Sequence, residues 1–386
     1  MTQLSDLSAL LACALRSEDA VWPAALNTID ANQLAQAISD HGISDLLIDL
    51  PLANWGWPAA LIEHVRDEAR MQALWEASHR APLAAVLEAM SAQGVEAVVL
   101  KGAALAYSLY NRPSQRRRGD SDILIRPGDR DGAREALRMH GFAADEPALL
   151  LQEEWHLHCS SGFTHSVDLH WSASNSPAIS QALPMDLFFS GKQPLPGLSP
   201  SSFRPGAVAM LLNASINQAS HTLIGMGAKD TVVDADRRLL WAMDYHLIAS
   251  ELAEADWQSL VRTAIDNNLA GVTGNALQLA QQCMHTEVPD WVLPELEAHK
   301  QSDTALRYFG AASARQRFDQ DRLASRAYGG EFDVIRAHIM ASHDLLVGQF
   351  PDAAHWPLWA LRLRRLGALT WRYGTSVFRG QRGSQT

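Results

Sequence analysis

The chain has 386 residues, 47% of them hydrophobic and 19% charged, with a formal net charge of −11 and three cysteines. A chain of this length is expected to contain roughly two to three domains, and its composition excludes intrinsic disorder. The net negative charge argues against a protein that coats nucleic acid without sequence preference. Because the cysteines are scattered and odd in number, they indicate no disulfide framework.

The start of the chain predicts a helix rather than a secretion signal, because it lacks a basic segment and carries Asp6 beside a short apolar stretch. No apolar run approaches the ~20 residues needed to cross a bilayer. We therefore expect a cytoplasmic protein without a transmembrane segment.

Residues 1–94 are predicted to form an N-terminal helical region. One periodic segment ends at Gly42, a residue type suited to the end of a helix. Pro58 is suited to the first turn of a long helix that stops at Gly94. Pro82 lies inside this helix and could kink or split it.

Residues 95–189 mix short strands with helices, which predicts a small α+β core. The predicted elements are a strand at 95–100, a helix at 103–110, a strand at 120–125, a helix at 128–141, and a hairpin of strands at 153–160 and 164–171.

The segment at 190–206 is rich in proline, glycine and serine and predicts a linker. Residues 207–386 are predicted to form a helical domain, with Asp256 as a possible N-cap within it. Its clearest helices lie at 206–221, 235–252 and 256–271.

Two aspartates lie one residue apart at the start of the second predicted strand. Because side chains alternate between the faces of a strand, Asp120 and Asp122 point the same way and repel each other unless a cation lies between them. Asp168 lies in the middle of the last predicted strand, where aspartate is unfavourable. If that hairpin packs beside 120–125, the three carboxylates converge and a two-metal phosphoryl-transfer site is plausible. The alternative is a set of solvated acids on an exposed sheet face.

The first predicted strand ends at a Lys101-Gly102 turn that opens a helix. Such a turn aims backbone N–H groups at a phosphate, and Lys101 could add a positive charge. Arg116, Arg117 and Arg118 could balance a triphosphate, although at least two of them are expected to lie in a solvated loop.

Three histidines and a cysteine lie close together in the predicted hairpin and offer an alternative zinc site. They are His156, His158, Cys159 and His165. Their spacing matches no standard set of zinc ligands, and the alternating faces of a strand separate them.

The motifs "VVLKGAALAYSLY", "RRRGDSDILI" and "HSVDLHW" resemble those of an uncharacterised bacterial nucleotidyltransferase family of the DNA polymerase β superfamily. The resemblance is dense over 95–172 and weaker to about residue 285. It implies a polymerase-β-like α+β core, a small mixed sheet with helices, flanked by N-terminal and C-terminal helical regions.

The resemblance also implies roles for individual residues. Asp120 and Asp122 would hold two Mg²⁺ or Mn²⁺ ions, and Asp168 would be the third acid, a metal ligand that can also accept the proton of an acceptor hydroxyl. Gly102 would lie under the nucleotide phosphates, with Lys101 beside them.

Arg118 completes the predicted nucleotide-binding set. One residue departs from the pattern, because many superfamily members have a serine or glycine after the turn glycine and this chain has Ala103. The backbone cradle is kept, but a phosphate-binding hydroxyl is lost.

The reaction implied is transfer of a nucleoside monophosphate from an NTP to a hydroxyl of an unidentified acceptor, with release of pyrophosphate. The alternatives are a catalytically weak nucleotide-binding or scaffold protein and, third, a zinc hydrolase. The C-terminal helical domain would select the acceptor. Asp244 and His221 are the candidates there, unless they are buried residues satisfied by helix neighbours.

The segment from 354 to 386 is basic, with six arginines and no acidic residue. The arginines are Arg362, Arg364, Arg365, Arg372, Arg379 and Arg382. The pattern suits an amphipathic helix docked on the chain, or an anionic partner such as a membrane surface or RNA. Since amphipathic helices usually pack on their own domain, we expect Trp359 and Leu363 to be buried.

Overall fold

The computed structural model describes residues 4–144, 151–224, 232–311, 313–325, 346–347, 350–353 and 355–367. Within these ranges four α-helices precede the sheet: α1 (Leu4–Leu15), α2 (Ala31–His41), α3 (Ser44–Leu47) and α4 (Ala59–Ala92).

The predicted ends of two N-terminal helices are confirmed. Helix α2 begins after Asp30, whose carboxylate accepts from the backbone N–H groups of the first turn, and it ends at Gly42 with a φ of 71°. Helix α4 follows Pro58 and runs for 34 residues, so Pro82 lies inside one continuous helix. Gly94, two residues beyond its end, has a φ of 76°.

A five-stranded mixed sheet forms the centre of the fold. Its strands are β1 (Ala97–Leu100), β2 (Asp120–Ile125), β3 (Ala143–Ala144), β4 (Gln152–His158) and β5 (Thr164–His170). They lie in the order β1-β2-β5-β4-β3, and β2 and β5 are parallel while the other neighbours are antiparallel. The predicted hairpin is therefore present as β4 and β5, and β5 lies directly beside β2.

Two helices connect the strands: α5 (Lys101–Ser108) and α6 (Arg130–Met139). Helix α5 follows β1 without a loop, so the first residue after the buried strand is also the first residue of the helix. With the N-terminal helices, these elements confirm the predicted mixture of a small sheet and helices.

The segment at 190–206 is packed against the rest of the chain. It contains β6 (Gln193–Pro194) and β7 (Phe203–Arg204), which pair antiparallel. Leu195 and Leu198 are buried, and Arg204 forms an ion pair with Glu251 at 2.8 Å. The boundaries at 94, 189 and 206 stay predictions, and one continuous hydrophobic core runs across them from Leu7 to Phe309.

Among the described residues, nine further α-helices follow β5 along the chain up to residue 325. They are α7 (Pro177–Ala182), α8 (Asp186–Phe189), α9 (Ala207–Ile224), α10 (Leu239–Ser250), α11 (Glu254–Asp266), α12 (Ala270–Met284), α13 (Val292–Ala298), α14 (Thr304–Phe309) and α15 (Ala314–Ala324). Ala253 is the N-cap residue of α11, and Asp256 accepts a hydrogen bond from its N–H from inside the first turn. No helix in the described ranges has both the length and the apolar character that a bilayer crossing requires.

The prediction for the basic segment is wrong where the structure describes it. Residues 358–367 are helical, but Trp359 is 66% exposed and Leu363 is 58% exposed. Leu361 is the buried residue, packed with Leu346 and Ala353. At about 100° per residue, Leu361 lies on nearly the opposite side of the helix from Trp359 and Leu363, so the structure buries the other side of this helix.

The arginines of this helix are partly covered. Arg364 forms an ion pair with Asp352 at 2.8 Å and lies over the rings of Phe350 and Trp356. The other three predicted tail arginines, at 372, 379 and 382, lie outside the described residues.

Candidate active site

The parallel pairing of β2 with β5 brings the predicted acids together. Asp122 is the direct neighbour of Asp168 across the pair, and Asp120 is the neighbour of Ser166. Because side chains two residues apart share a face, Asp120, Asp122, Asp168 and His170 lie on one face of the sheet. All four line a cavity of about 1430 Å³.

Asp122 lies at the centre of the cluster. Its Oδ1 accepts from the Lys101 ammonium at 2.5 Å and lies 2.9 Å from Nε2 of His170. Burial raises the pKa of Asp122, but Lys101 and His170 outweigh burial and hold this pKa well below its usual range. Asp122 is therefore held in its anionic form.

The other two acids are shifted in the opposite direction. Burial, followed by the charges of Asp122 and Asp120, raises the pKa of Asp168 to about 8. Burial and the charge of Asp122 raise the pKa of Asp120. Lys101 alone does not compensate three carboxylates in this space, so a further cation would stabilise the cluster.

The donor set fits a divalent metal. Ligand atoms of Asp122, Asp168 and His170 all lie within 4.8 Å of one another. Carboxylate oxygens suit Mg²⁺ and Mn²⁺, and an imidazole nitrogen adds a ligand that transition metals accept readily.

Sequence reasoning missed His170. The residue stands two positions after Asp168, so strand alternation alone places both side chains on the same face. The signal was present in "DLHW", but a histidine in a strand is more often a packed residue than a ligand. Its contact with Asp122 depends on the pairing of β2 with β5.

Lys101 occupies a strained position at the start of α5. Its φ of 48° lies in the left-handed region, which costs a residue other than glycine roughly 1–2 kcal/mol. Such strain at a residue that contacts Asp122 is typical of functional sites. Gly102 follows, and a Cβ there would approach Cβ of Arg118 to 3.3 Å.

The three arginines before β2 differ in their surroundings. Arg118 forms an ion pair with Glu76 at 2.7 Å, and its guanidinium lies 5.2 Å from the ring centre of Trp75 and 5.3 Å from that of Tyr107. The side chain is only 3% exposed. Arg118 lines the cavity, and its role in nucleotide binding stays a prediction.

Arg116 is also buried, and it connects the sheet to the helical region. Its Nε donates to both carboxylate oxygens of Asp244 on α10, at 2.7 and 2.9 Å. Tyr110 donates to the same carboxylate at 2.7 Å. Two of the three arginines are thus buried, which contradicts a solvated loop, while the Arg117 side chain is 46% exposed.

The two residues predicted to select the acceptor, Asp244 and His221, have different surroundings. Asp244 is fully buried, and its partners come from the sheet side rather than from its own helix. His221 lies at the end of α9, lines the cavity and contacts the ring of Trp241 at 5.8 Å.

The residues of the alternative zinc site have separate partners. His156 Nδ1 lies 2.9 Å from the Ser166 hydroxyl, and His158 Nδ1 lies 2.9 Å from that of Thr164. His165 faces α4 instead, with Nε2 at 3.0 Å from the Ser78 hydroxyl. Within the described ranges, these side chains and Cys159 do not form a metal-binding group.

Comparison with protein families identifies the family to which the chain belongs. A family model described as "Uncharacterised nucleotidyltransferase" matches residues 27–285, which is more than half of the chain. The chain belongs to this nucleotidyltransferase family. Searches among curated proteins and among solved structures find no match.

The match to this family covers the acid cluster of the chain and extends on both sides of it. It begins between α1 and α2 and ends just after α12, so the sheet and helices α2 to α12 belong to the matched region. The predicted family and fold class are therefore confirmed.

Proposed function

We propose that this chain is a metal-dependent nucleotidyltransferase that moves a nucleoside monophosphate from an NTP to a hydroxyl of an acceptor. The observation that carries the proposal is the side-by-side placement of Asp122 and Asp168 on parallel strands, with Asp120 and His170 on the same face. The family match supports the same class of chemistry.

The acids supply the metal ligands in this proposal. Asp120, Asp122 and Asp168, with His170 beside them, would hold two Mg²⁺ or Mn²⁺ ions. When bound, these ions neutralise the negative charge on the phosphates and favour in-line displacement.

The turn between β1 and α5 supplies the phosphate site. The first backbone N–H groups of α5 have no partner inside the helix, and they carry the positive end of its dipole. Lys101 lies at this end and also contacts Asp122, so it would lie between the acids and the phosphates of a bound NTP. Arg118 and Gly102 form the wall behind it.

The chemical step is a displacement at the α-phosphorus. The acceptor hydroxyl oxygen forms a bond to that phosphorus, the bond to the bridging oxygen of the β-phosphate breaks, and pyrophosphate leaves. Asp168, ionised once bound metals compensate the charge of its neighbours, would accept the hydroxyl proton. The protein positions the reactants and compensates charge, as phosphoryl transfer requires.

The test is release of pyrophosphate from each of the common NTPs, with Mg²⁺ or Mn²⁺ and an extract of the source cells as the supply of acceptor. Asp120→Asn and Asp168→Asn should each lower the rate by at least about a hundredfold, because each removes a charge that acts in the transition state. Asp131→Asn is the matched control, since the Asp131 side chain is 97% exposed. Equal loss in the control, or no loss at Asp120, would contradict the proposal.

A catalytically weak nucleotide-binding protein is the second candidate. Ala103 favours it, because this buried residue provides no hydroxyl at the phosphate turn. Binding of Mg²⁺–NTP without pyrophosphate release under all of these conditions would support it instead.

A further inference from the structure

One face of helix α9 carries a polar stripe that faces the same cavity as the acids. Asn213, Asn217, Ser220 and His221 recur at the spacing of one helix face, and all four line the cavity. Elsewhere on the helix, residues such as Leu211 are fully buried in the core. The helix therefore turns an apolar face to the core and a polar face to the cavity.

The amide of Asn213 stands out within the stripe. The residue is only 4% exposed, yet neither its amide nor that of Asn217 has a hydrogen-bond partner among the residues that the structure describes. Both amides line the cavity, so their donors and acceptors are accessible from it. Two amides four residues apart on one helix face offer a polar ligand a matched pair of hydrogen-bonding groups.

The stripe differs in charge from the rest of the cavity. The acids of β2 and β5 and the basic residues around Lys101 account for metals and phosphates. The α9 stripe has no acidic or basic side chain apart from His221. A neutral amide both donates and accepts, so it matches a hydroxyl group, whereas a phosphate backbone requires cations.

The wall that contains the stripe continues from the strand that carries Asp168. Ser174 and Asn175, just beyond the end of β5, line the cavity, and α7 follows them. Helix α14 packs against both α7 and α9. This arrangement joins the stripe to the β5 side of the site, where the acceptor hydroxyl is activated in the proposed reaction.

We propose that Asn213 and Asn217 bind the acceptor, and that the acceptor is a small neutral molecule with several hydroxyl groups. This inference rests on the proposed nucleotidyltransferase function. One hydroxyl oxygen of the acceptor bonds to the α-phosphorus as the bond to pyrophosphate breaks, and the other hydroxyl groups of the acceptor pair with the two amides. The cavity of about 1430 Å³ is larger than a typical site for one small ligand, roughly 300–1,000 Å³, and therefore has room for both substrates.

The experiment uses the full chain with Mg²⁺ and α-³²P-labelled NTPs. An extract of the source cells is divided by ultrafiltration into a small-molecule filtrate and a retained macromolecule fraction, and each is offered separately. Label is expected in a new compound of the filtrate. Asn217→Leu should reduce this labelling at least about tenfold, because it removes an amide that would hydrogen-bond a hydroxyl of the acceptor, and loss of such a partner weakens recognition strongly.

Mg²⁺–NTP affinity, measured by calorimetry, should stay within about twofold of the wild-type value in Asn217→Leu, since the amides contact only the acceptor. Asn213→Leu should behave in the same way, and melting temperatures establish that both variants fold. If Asn213→Leu fails to fold, the half-buried Asn217 still decides the question. Asn32→Leu is the matched control, because Asn32 is exposed on α2.

Three results would overturn the inference and leave the proposed function intact. They are labelling of RNA or protein in the retained fraction, a marked loss of Mg²⁺–NTP affinity in Asn217→Leu, and filtrate labelling that neither asparagine substitution changes. Absence of label and of pyrophosphate in both fractions would instead count against the nucleotidyltransferase activity itself, and the acceptor site would fall with it.

Discussion

Replacing Asp244 by asparagine should destabilise the protein strongly. The carboxylate is fully buried and accepts from Arg116 at 2.7 and 2.9 Å and from Tyr110 at 2.7 Å. Burial raises its pKa, while Arg116 and Tyr110 oppose this shift. Removing one partner of a buried ion pair leaves the other charge uncompensated, which costs about 3–5 kcal/mol. We expect a loss of this size in the free energy of unfolding, measured with urea at neutral pH.

The control for this measurement is Asp67→Asn. Asp67 pairs with Arg70 at 2.8 Å, but both side chains are largely exposed, so the expected loss is at most about 1 kcal/mol. The double variant Arg116→Met/Asp244→Leu should recover part of the stability, because it leaves no buried charge unpaired. A small loss in Asp244→Asn together with reduced transfer would refute the reasoning, since it would make Asp244 an acceptor contact rather than a structural partner.

Three further outcomes are expected. Asp120→Asn should raise the melting temperature measured in EDTA, because it removes one of three clustered carboxylates; a clear fall would make Asp120 structural. His41 should contribute to acid sensitivity, since burial and the charge of Arg238 lower its pKa to about 4. The folded protein holds His41 neutral, so the free energy of unfolding falls as the pH drops below the unfolded pKa of about 6.5. Between pH 7 and pH 5, the wild type should lose about 2 kcal/mol more than His41→Gln in urea titrations. Equal losses in the two proteins would contradict this. The Trp359 contribution to fluorescence, obtained as the difference between wild type and Trp359→Phe, should be quenched by acrylamide, because Trp359 is 66% exposed. If this contribution is not quenched, Trp359 is buried, as the sequence predicted.

The sheet and its acids were predictable because they depend on local periodicity. Alternation along β2 places Asp120 and Asp122 on one face, and the mid-strand position of Asp168 marks it as unusual. The sequence predicted that the acids converge only if β5 lies beside β2. It could not predict this pairing itself, because strand pairing depends on residues far apart along the chain.

The features that the sequence did not reveal depend on distant partners. Arg118 pairs with Glu76 and Arg116 with Asp244, which lie 42 and 128 positions away along the chain. From the sequence alone, a run of arginines is more often solvated than buried. The orientation of the helix at 358–367 failed for a related reason: its apolar residues allow two faces, and the choice depends on what packs against them.

The shared oxygen of Asp122 has a thermodynamic consequence for ligand binding. Lys101 and His170 both contact Oδ1, so a metal that takes this oxygen must displace or rearrange an internal ammonium. In the proposed function, the phosphates of a bound NTP would give Lys101 new anionic partners at the start of α5. Metal and nucleotide should therefore bind with positive cooperativity, and by reciprocity each should increase the affinity of the other by the same factor. In this view Lys101 couples the two binding equilibria, and the acid cluster reaches full metal affinity when the phosphates are in place.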